Sequence, residues 1–339
     1  MIDMLLPGIL TSVQDLGRNG LRQFGIQPGG ALNGMALSIV NLLVGNPAEA
    51  AGLEITMGAC AMRFRKNTRI ALGGDDFDAH LDDQAIAPYW SIPVQAGQVL
   101  RLSQGSRDGR PGMRAYLGIA GGIDTPLLLG SRSTDLKAGF GGHHGRALRK
   151  GDRLPIGDAQ AALKRASGPA FGVRSPQWSG LGVLAHDRSM HITLRVLPGP
   201  ELEQFTVAAR QSWLQEKWRI TPNSNRMGYL LQGPELKRKQ GRDLFSHGVV
   251  PGVIQVPPSG QPIILMHDAQ TTGGYPKIGV VISADMWKLA QAPLNAELQL
   301  QLCDLEQALH ATEEQQAYLR HIEQSVTALH WSRASQYRK

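Results

Sequence analysis

Few of the features that usually announce a function are present. Only two cysteines occur in 339 residues, Cys60 and Cys303, far apart and with no Cys-x-x-Cys pair. That excludes a disulfide framework, and the two read as small buried hydrophobes. The adjacent pair His143-His144 lies in a Gly-rich stretch without acidic or Cys neighbours at ligand spacing, so no metal site is expected. No long hydrophobic run exists. The uncharged stretch Val249 to Met266 contains four prolines and two glycines, which excludes a spanning helix there. Met1 to Gly8 lacks a basic n-region, and Pro7 breaks its apolar run, so no signal peptide is expected. These absences predict a soluble, cytoplasmic protein with no membrane partner.

Charge of one sign is also scarce. Lys plus Arg is 35 against 28 for Asp plus Glu, a formal net charge of +7, and no long basic block concentrates it. The densest cluster is Lys237-Arg238-Lys239 with Arg242 nearby, interrupted by Gln240 and Gly241 and free of interleaved aromatics. It reads as a solvated loop, with a partner or anionic-ligand contact as the alternative. No nucleic acid is expected.

Catalytic signatures are missing too. There is no Gly-x-x-x-x-Gly-Lys-Ser/Thr phosphate cradle and no Gly-x-Ser-x-Gly elbow. Gly139-Phe140-Gly141-Gly142-His143-His144-Gly145 misses the dinucleotide spacing because His144 stands where Gly is needed. No Met-Lys-Met segment offers a biotin attachment site. ATP or biotin chemistry therefore requires another kind of site or another chain.

What is abundant is Gly and Pro, 40 and 20 residues, about 18% of the chain against an average near 12%. This predicts short strands joined by frequent turns. Leu298, Leu300 and Leu302 alternate with Glu297, Gln299 and Gln301, as Ile192, Leu194 and Val196 do with their neighbours, the period-2 pattern of half-buried strands. Shorter apolar runs at Val99 to Leu102, Tyr116 to Ala120, Val253 to Val256, Ile263 to Met266 and Ile278 to Ile282 read the same way. Ala79 to Ile86 reads as a hairpin around Asp82 and Asp83.

Helices are fewer. Leu32, Met35, Ala36, Ile39, Leu42 and Leu43 keep helical spacing before Gly45, and Asn46-Pro47 offers a cap and first-turn proline for a second short helix. Others are expected over Glu201 to Lys217, from a Ser283 cap to Gln291, and from Asp304 to about Leu329. In the last, Leu305, Leu309, Leu319, Ile322, Val326 and Leu329 form one stripe, packed on its own domain or on a partner. The Gly-, Pro- and Ser-rich run from Ser167 to Gly182 marks a boundary. The expectation is a mainly β (α+β) chain with an N-terminal β-barrel-like domain over 1–185, a second barrel domain over 186–303, and a C-terminal helix and tail over 304–339.

Three turn-rich segments carry more reactive groups than turns require. In Ser224-Asn225-Arg226-Met227-Gly228-Tyr229, Arg226 suits a carboxylate or phosphate through its fork, unless the run is an Asx turn with an exposed Arg. In Ser246 to Pro258, His247 sits in a Gly-flanked turn as a candidate acid or base, or as a backbone-bonded His. Gln255 falls inside a strand pattern, where an inward amide needs a partner or a ligand. In His267 to Gly279, Asp268 is a candidate base or orienter, Thr271 and Thr272 candidate oxyanion donors, and Lys277 a group to offset developing charge. A hydrogen-bonded turn network is the alternative there.

Together these runs resemble the signatures of the allophanate-hydrolase-subunit-2/KipA family. They are Ser224 to Gly228, Ser246-His247-Gly248 with Pro251 to Pro257, and Asp268-Ala269-Gln270-Thr271-Thr272-Gly273-Gly274-Tyr275-Pro276-Lys277. Thr11 to Arg18, Asn41 to Asn46 and Gly118 to Asp124 fit it too, so the resemblance spans roughly residues 4–310. The family's usual Gly-Val-Pro-x-Ser-Gly-Ala-Met-Asp run reads Gly25-Ile26-Gln27-Pro28-Gly29-Gly30-Ala31-Leu32-Asn33 here, with Gly29 and Asn33 in place of Ser and Asp. The resemblance implies two cyclophilin-like β-barrel domains, a KipI-like B subunit and a LamB/YcsF-like A subunit as partners. It also implies ATP, with Mg, in the complex and a small-molecule lactam, 5-oxoproline, as substrate. The site candidates come from the residues themselves rather than from the resemblance: Asp268, His247 and Lys277 are the catalytic candidates, and Asn225, Arg226, Gln255, Gln270, Thr271, Thr272 and Tyr275 the substrate-binding ones. Biotin-dependent carboxyl transfer to urea or another small amide, and non-catalytic antagonism of a sensor-kinase inhibitor, are the alternatives within the family.

Overall fold

The computed structural model describes residues 1–106, 112–165, 168–174, 191–239 and 244–336. Most of the expected boundary run, and Arg242 of the basic cluster, lie outside them. The chain divides into two compact units, one of Met1–Arg18, Gly29–Ser175 and Gln316–Lys339, the other of Asn19–Pro28 and Pro176–Gln315.

The first unit holds two six-stranded sheets. One runs in the order Arg153–Leu154, Ile2–Pro7, Cys60–Phe64, Val99–Leu102, His80–Leu81, Gln84–Ala85. The other runs Phe171–Gly172, Trp90–Val94, Thr68–Gly74, Arg114–Ile119, Gly52–Thr56, Leu10–Gln14. Alternate residues of both, including Met4, Leu53, Met62, Phe64, Ile70, Leu72, Leu100 and Leu117, form a single buried cluster. Cys60 is buried in that cluster, and burial pushes its thiol up to about 11, so it behaves as an apolar filler. The expected hairpin is present, with His80 opposite Ala85 and Leu81 opposite Gln84.

The helix Gly34–Leu43 lies on the strands Thr68–Gly74 and Arg114–Ile119. Asn33 caps it, its Oδ1 accepting the Ala36 N–H at 2.9 Å. Close approach to the sheet depends on Gly118, where a Cβ would stand 2.8 Å from the Val40 backbone. The second helix expected after Asn46-Pro47 does not form, and residues 44–50 turn instead. Asn46 is drawn away from capping by three bonds. Its Nδ2 donates to Ile119 O at 2.7 Å and to Asn41 Oδ1 at 3.3 Å, and its Oδ1 accepts the Gly121 N–H at 2.8 Å.

The second unit is a closed seven-stranded barrel in the order His191–Pro198, Lys277–Val281, Val253–Gln255, Ile263–Leu265, Gly228–Gln232, Trp218–Ile220, Glu297–Leu302. The last strand closes it by pairing in parallel with the first, Ile192 opposite Leu298 and Leu194 opposite Leu300. Those four and Val196 are buried as the alternation predicts, whereas Leu302 is exposed.

The helix expected over 201–217 is split into a 3-10 turn, Leu202–Gln204, and an α-helix, Val207–Gln215. Thr206 restarts it by accepting the Ala209 N–H at 3.2 Å. The segment after Ile282 is likewise a 3-10 turn, Ser283–Asp285, running into Met286–Gln291. Ser283 is not the cap, because Ile282 holds that position.

The C-terminal helix spans Leu305–Gln336. Among the described residues its buried positions are Ala308, Ala311, Ile322 and Val326, with Ala308 and Ala311 packed against Ile282 and Ala284. Leu305, Leu309 and Leu329 of the expected stripe are exposed. At 100° per residue the first two fall roughly a quarter turn or more from the buried face, so the small alanines make the contact instead. Among the described residues, no helix is long and apolar enough to cross a membrane.

Candidate functional site

All three polar segments belong to the second unit, and barrel pairing brings parts of them together. Gly228–Gln232 and Val253–Gln255 both pair with Ile263–Leu265, and Val253–Gln255 also pairs with Lys277–Val281. Outside the barrel, His247–Gly248 pairs with Thr272–Gly273. Two side-chain clusters result.

The first is an ion pair between Arg226 and Asp268, both buried. Nε donates to Oδ2 at 2.8 Å and Nη2 to Oδ1 at 3.0 Å, while the Asp268 N–H bonds back to Arg226 O at 3.0 Å. The guanidinium fork that sequence reasoning offers to a substrate carboxylate is thus engaged by a carboxylate of this chain. Asn225 beside it forms the Asx turn, its Oδ1 accepting the Met227 N–H at 2.8 Å.

The second cluster centres on Lys277. Its ammonium pairs with Glu201 Oε2 at 2.8 Å and touches His247 Nε2. The same Glu201 oxygen accepts the Lys277 backbone N–H at 2.9 Å. His247 Nδ1 lies 2.9 Å from the Phe245 carbonyl, which can only accept, so Nδ1 carries the proton and Nε2 is left to accept from Lys277. Gln255 stands directly opposite Lys277 at a register shift between Ile254 and Gln255. It is 2% exposed, and its Nε2 has no hydrogen-bond partner among the described residues. Gly273, cross-strand partner of His247, covers this amide so closely that a Cβ there would lie 2.6 Å from Nε2. The arrangement can present donors to an acceptor oxygen and pass a proton among Glu201, Lys277 and His247.

The structure does not gather every candidate. Asn225, Gln270, Thr272 and Tyr275 are exposed, Thr271 is half-buried, and none hydrogen-bonds through its side chain to either cluster among the described residues. Glu201 is missing from the sequence candidates, because its place at the start of an expected helix hides it. Its signal is legible, however: an acid just after Pro198-Gly199-Pro200, at the end of the strand His191–Pro198, is the same strand-end pattern that singles out Asp268.

The N-terminal signature run serves the first unit. Asp15 accepts from Ser131 Oγ at 2.6 Å, Gly17 N at 2.8 Å and Arg132 N at 2.6 Å, and Arg18 stacks on Phe140 with its guanidinium carbon 4.5 Å from the ring centre. Glu54 accepts from Leu32 N at 2.9 Å and Tyr116 Oη at 3.0 Å, and Tyr116 Oη accepts the Asn33 N–H. Burial and the Glu54 carboxylate hold that phenol well above its ordinary range, so it stays a neutral donor.

A closed barrel with polar groups at its strand ends, joined to a two-sheet unit, corresponds to a known class. The family described as carboxyltransferase domain, subdomain A and B, matches residues 24–302, and the chain belongs to it. Among individual relatives, it is 47% identical over 330 residues to the C subunit of 5-oxoprolinase from Escherichia coli K12, covering 97% of this chain and 99% of that protein. Identity to the C subunit of 5-oxoprolinase from Haemophilus influenzae is 36%, covering 96% and 99%. The solved urea amidolyase of K. lactis superposes with a TM-score of 0.84 at 29% identity, over 95% of this chain but 20% of that one.

Proposed function

We propose that this chain is the C-type subunit of an ATP-dependent 5-oxoprolinase, opening 5-oxoproline to glutamate with a KipI-like B subunit and a LamB/YcsF-like A subunit. The observation that carries the reading is the end-to-end match to a protein named as such a subunit, 47% identical over 97% of this chain and 99% of the relative. Opening a lactam means adding water to a resonance-stabilised amide, which calls for activation of its carbonyl and a proton for its nitrogen. The donors around Lys277 suit the first need, and the Lys277–His247 contact the second.

A magnesium nucleotide does not fit this donor set. Glu201, the carboxylate of the Lys277 cluster, is already paired with the Lys277 ammonium. The reading therefore leaves nucleotide binding to a partner subunit, and no step is routed through ATP here.

The test is reconstitution. This chain is mixed with its KipI-like and LamB/YcsF-like partners, and ADP and glutamate are measured with and without 5-oxoproline. Release of both only in the full mixture with substrate is expected. Turnover by this chain alone would overturn the complex, and silence of the full mixture would overturn the oxoprolinase reading.

The likeness to urea amidolyase favours one second reading, carboxyl transfer to urea or a similar small amide. It predicts turnover that requires a separate biotinylated chain and ignores 5-oxoproline. Partner binding that survives Arg226→Ala and Asp268→Ala, with no ATPase in any mixture, would instead mark a regulatory binder.

A further inference from the structure

We propose that Gln255 and Lys277 form a two-donor cradle for the carbonyl oxygen of a small cyclic amide, with Glu201 as the residue that positions it. The proposal takes its substrate class from the oxoprolinase reading and rests on that reading to this extent.

Donor accounting points to the cradle. An ammonium has three N–H bonds. In Lys277 one faces Glu201 and one faces His247, and the third has no acceptor among the described residues. Gln255 adds a buried amide nitrogen with no partner among the described residues. A buried unpaired donor is unfavourable in a resting protein, and a ligand oxygen placed against it would relieve that cost.

Register makes the two donors neighbours. Residues directly opposite on antiparallel strands project from the same face, and Gln255 lies opposite Lys277. The bulge between Ile254 and Gln255 sets that alignment, as bulges do where a side chain must be re-aimed. Gly273 leaves the Gln255 amide in place because it carries no methyl group.

Charge selects the ligand. Glu201 neutralises the Lys277 ammonium, so this pair carries no net charge. A preformed carboxylate or phosphate would find no surplus cation there. A neutral carbonyl that gains negative charge during water attack would find one charged and one neutral donor already aimed, the arrangement of an oxyanion site. Glu201 acts through Lys277, gripping both its ammonium and its backbone N–H.

The experiment uses the reconstituted complex and the full chain. Gln255→Leu is expected to lower kcat about a hundredfold, the usual loss of one oxyanion donor, while KM moves less than about threefold. Glu201→Gln is expected to change the shape of the kcat–pH profile, which a merely structural role would not do. A Gln255→Leu complex within twofold of the parent kcat would overturn the cradle. Should that variant fail to fold, the unsubstituted full chain labelled with 15N-glutamine is titrated with 5-oxoproline. The Gln255 amide must then shift, and an unmoved resonance overturns the proposal. If the parent complex never turns over 5-oxoproline, the oxoprolinase reading fails, and the same resonance is followed with urea and with acetate. A shift with urea sustains the cradle for another amide. No shift, or a stronger shift with acetate, overturns it.

Discussion

Replacing Asp268 by Asn tests whether the Arg226–Asp268 pair is an anchor of the barrel. Both residues are buried, 6% and 5% exposed, and the two bonds between them are bidentate at 2.8 and 3.0 Å. The backbone bond from Asp268 N to Arg226 O means that the pair also ties residue 226 to the end of the strand Ile263–Leu265. Asn preserves shape but leaves a guanidinium without its counter-ion, which typically costs about 3–5 kcal/mol in an interior. For a unit of this size each kcal/mol moves the midpoint by about 2–4 °C, so Tm of the second unit is expected to fall by roughly 6–20 °C. Calorimetry of the full chain measures it, alongside Arg226→Met and the double variant. Removing both charges should recover at least half of the loss, because no lone ion is then buried. A single-variant loss below about 1 kcal/mol, or a double variant as damaged as the sum of the singles, would refute the reasoning. Kinetics add a second axis. If Arg226 must leave Asp268 to grip a substrate carboxylate, Asp268→Asn removes its competitor and KM falls. If the pair is an anchor, KM stays while Tm drops, and that is the outcome expected.

Three further outcomes follow from particular contacts. Burial pushes the Asp75 carboxyl up to about 6 despite the N–H groups of Met113 and Arg114 that bond to it. The folded state therefore holds a proton that the unfolded state has lost, and this group's contribution to stability falls as pH rises from about 4 to about 6. The residue is only half-buried, so about 1–2 kcal/mol is expected, and Asp75→Asn should flatten that part of a urea-midpoint against pH curve while raising stability at pH 7. Asn46→Ala removes three bonds, two of them buried, and leaves Ile119 O and Gly121 N to find new partners, an expected loss of about 2–4 kcal/mol by chemical denaturation. Gly273→Ala drives a methyl into the Gln255 amide. A modest stability change, about 1–3 kcal/mol, should accompany a fall of about 10–100-fold in kcat of the complex, and full activity would contradict the geometry around Gln255.

Strand positions are legible because alternation is a local property. Ile192, Leu194, Leu298 and Leu300 are buried where period 2 puts them. Where a residue's partner is distant in sequence, legibility ends. Asn46 looks like a helix cap until Ile119 and Gly121 arrive from far along the chain to occupy its amide. Leu305 and Leu309 look like the buried stripe until the small Ala308 and Ala311 meet Ala284. The same limit applies to the candidate site. Segments 224–229, 246–258 and 267–279 could be named from polar groups at strand ends, but their sorting into an Arg226–Asp268 pair and a Lys277 cluster depends on cross-strand register. Glu201 joins the latter only through the return of the strand Lys277–Val281 to the strand His191–Pro198.

The departure at Gly29 and Asn33 has a physical meaning as well. Asn33 caps the helix Gly34–Leu43 through Oδ1, a task that Asp performs equally well, so the exchange keeps the helix start intact. What it removes is charge. Glu54 already buries a carboxylate against the Leu32 N–H and the Tyr116 hydroxyl, and an Asp at position 33 would bring a second carboxylate to the same buried start of the helix. Two such groups raise each other's cost of ionisation, and Asn avoids that penalty. Gly29 sits at φ = 59°, a conformation in which Ser would be strained and Gly is not. The loop thus favours a rigid, uncharged corner over an acidic one. The second unit differs in this respect, because there Lys277 brings a charged carboxylate, Glu201, and an imidazole, His247, into direct contact with one ammonium.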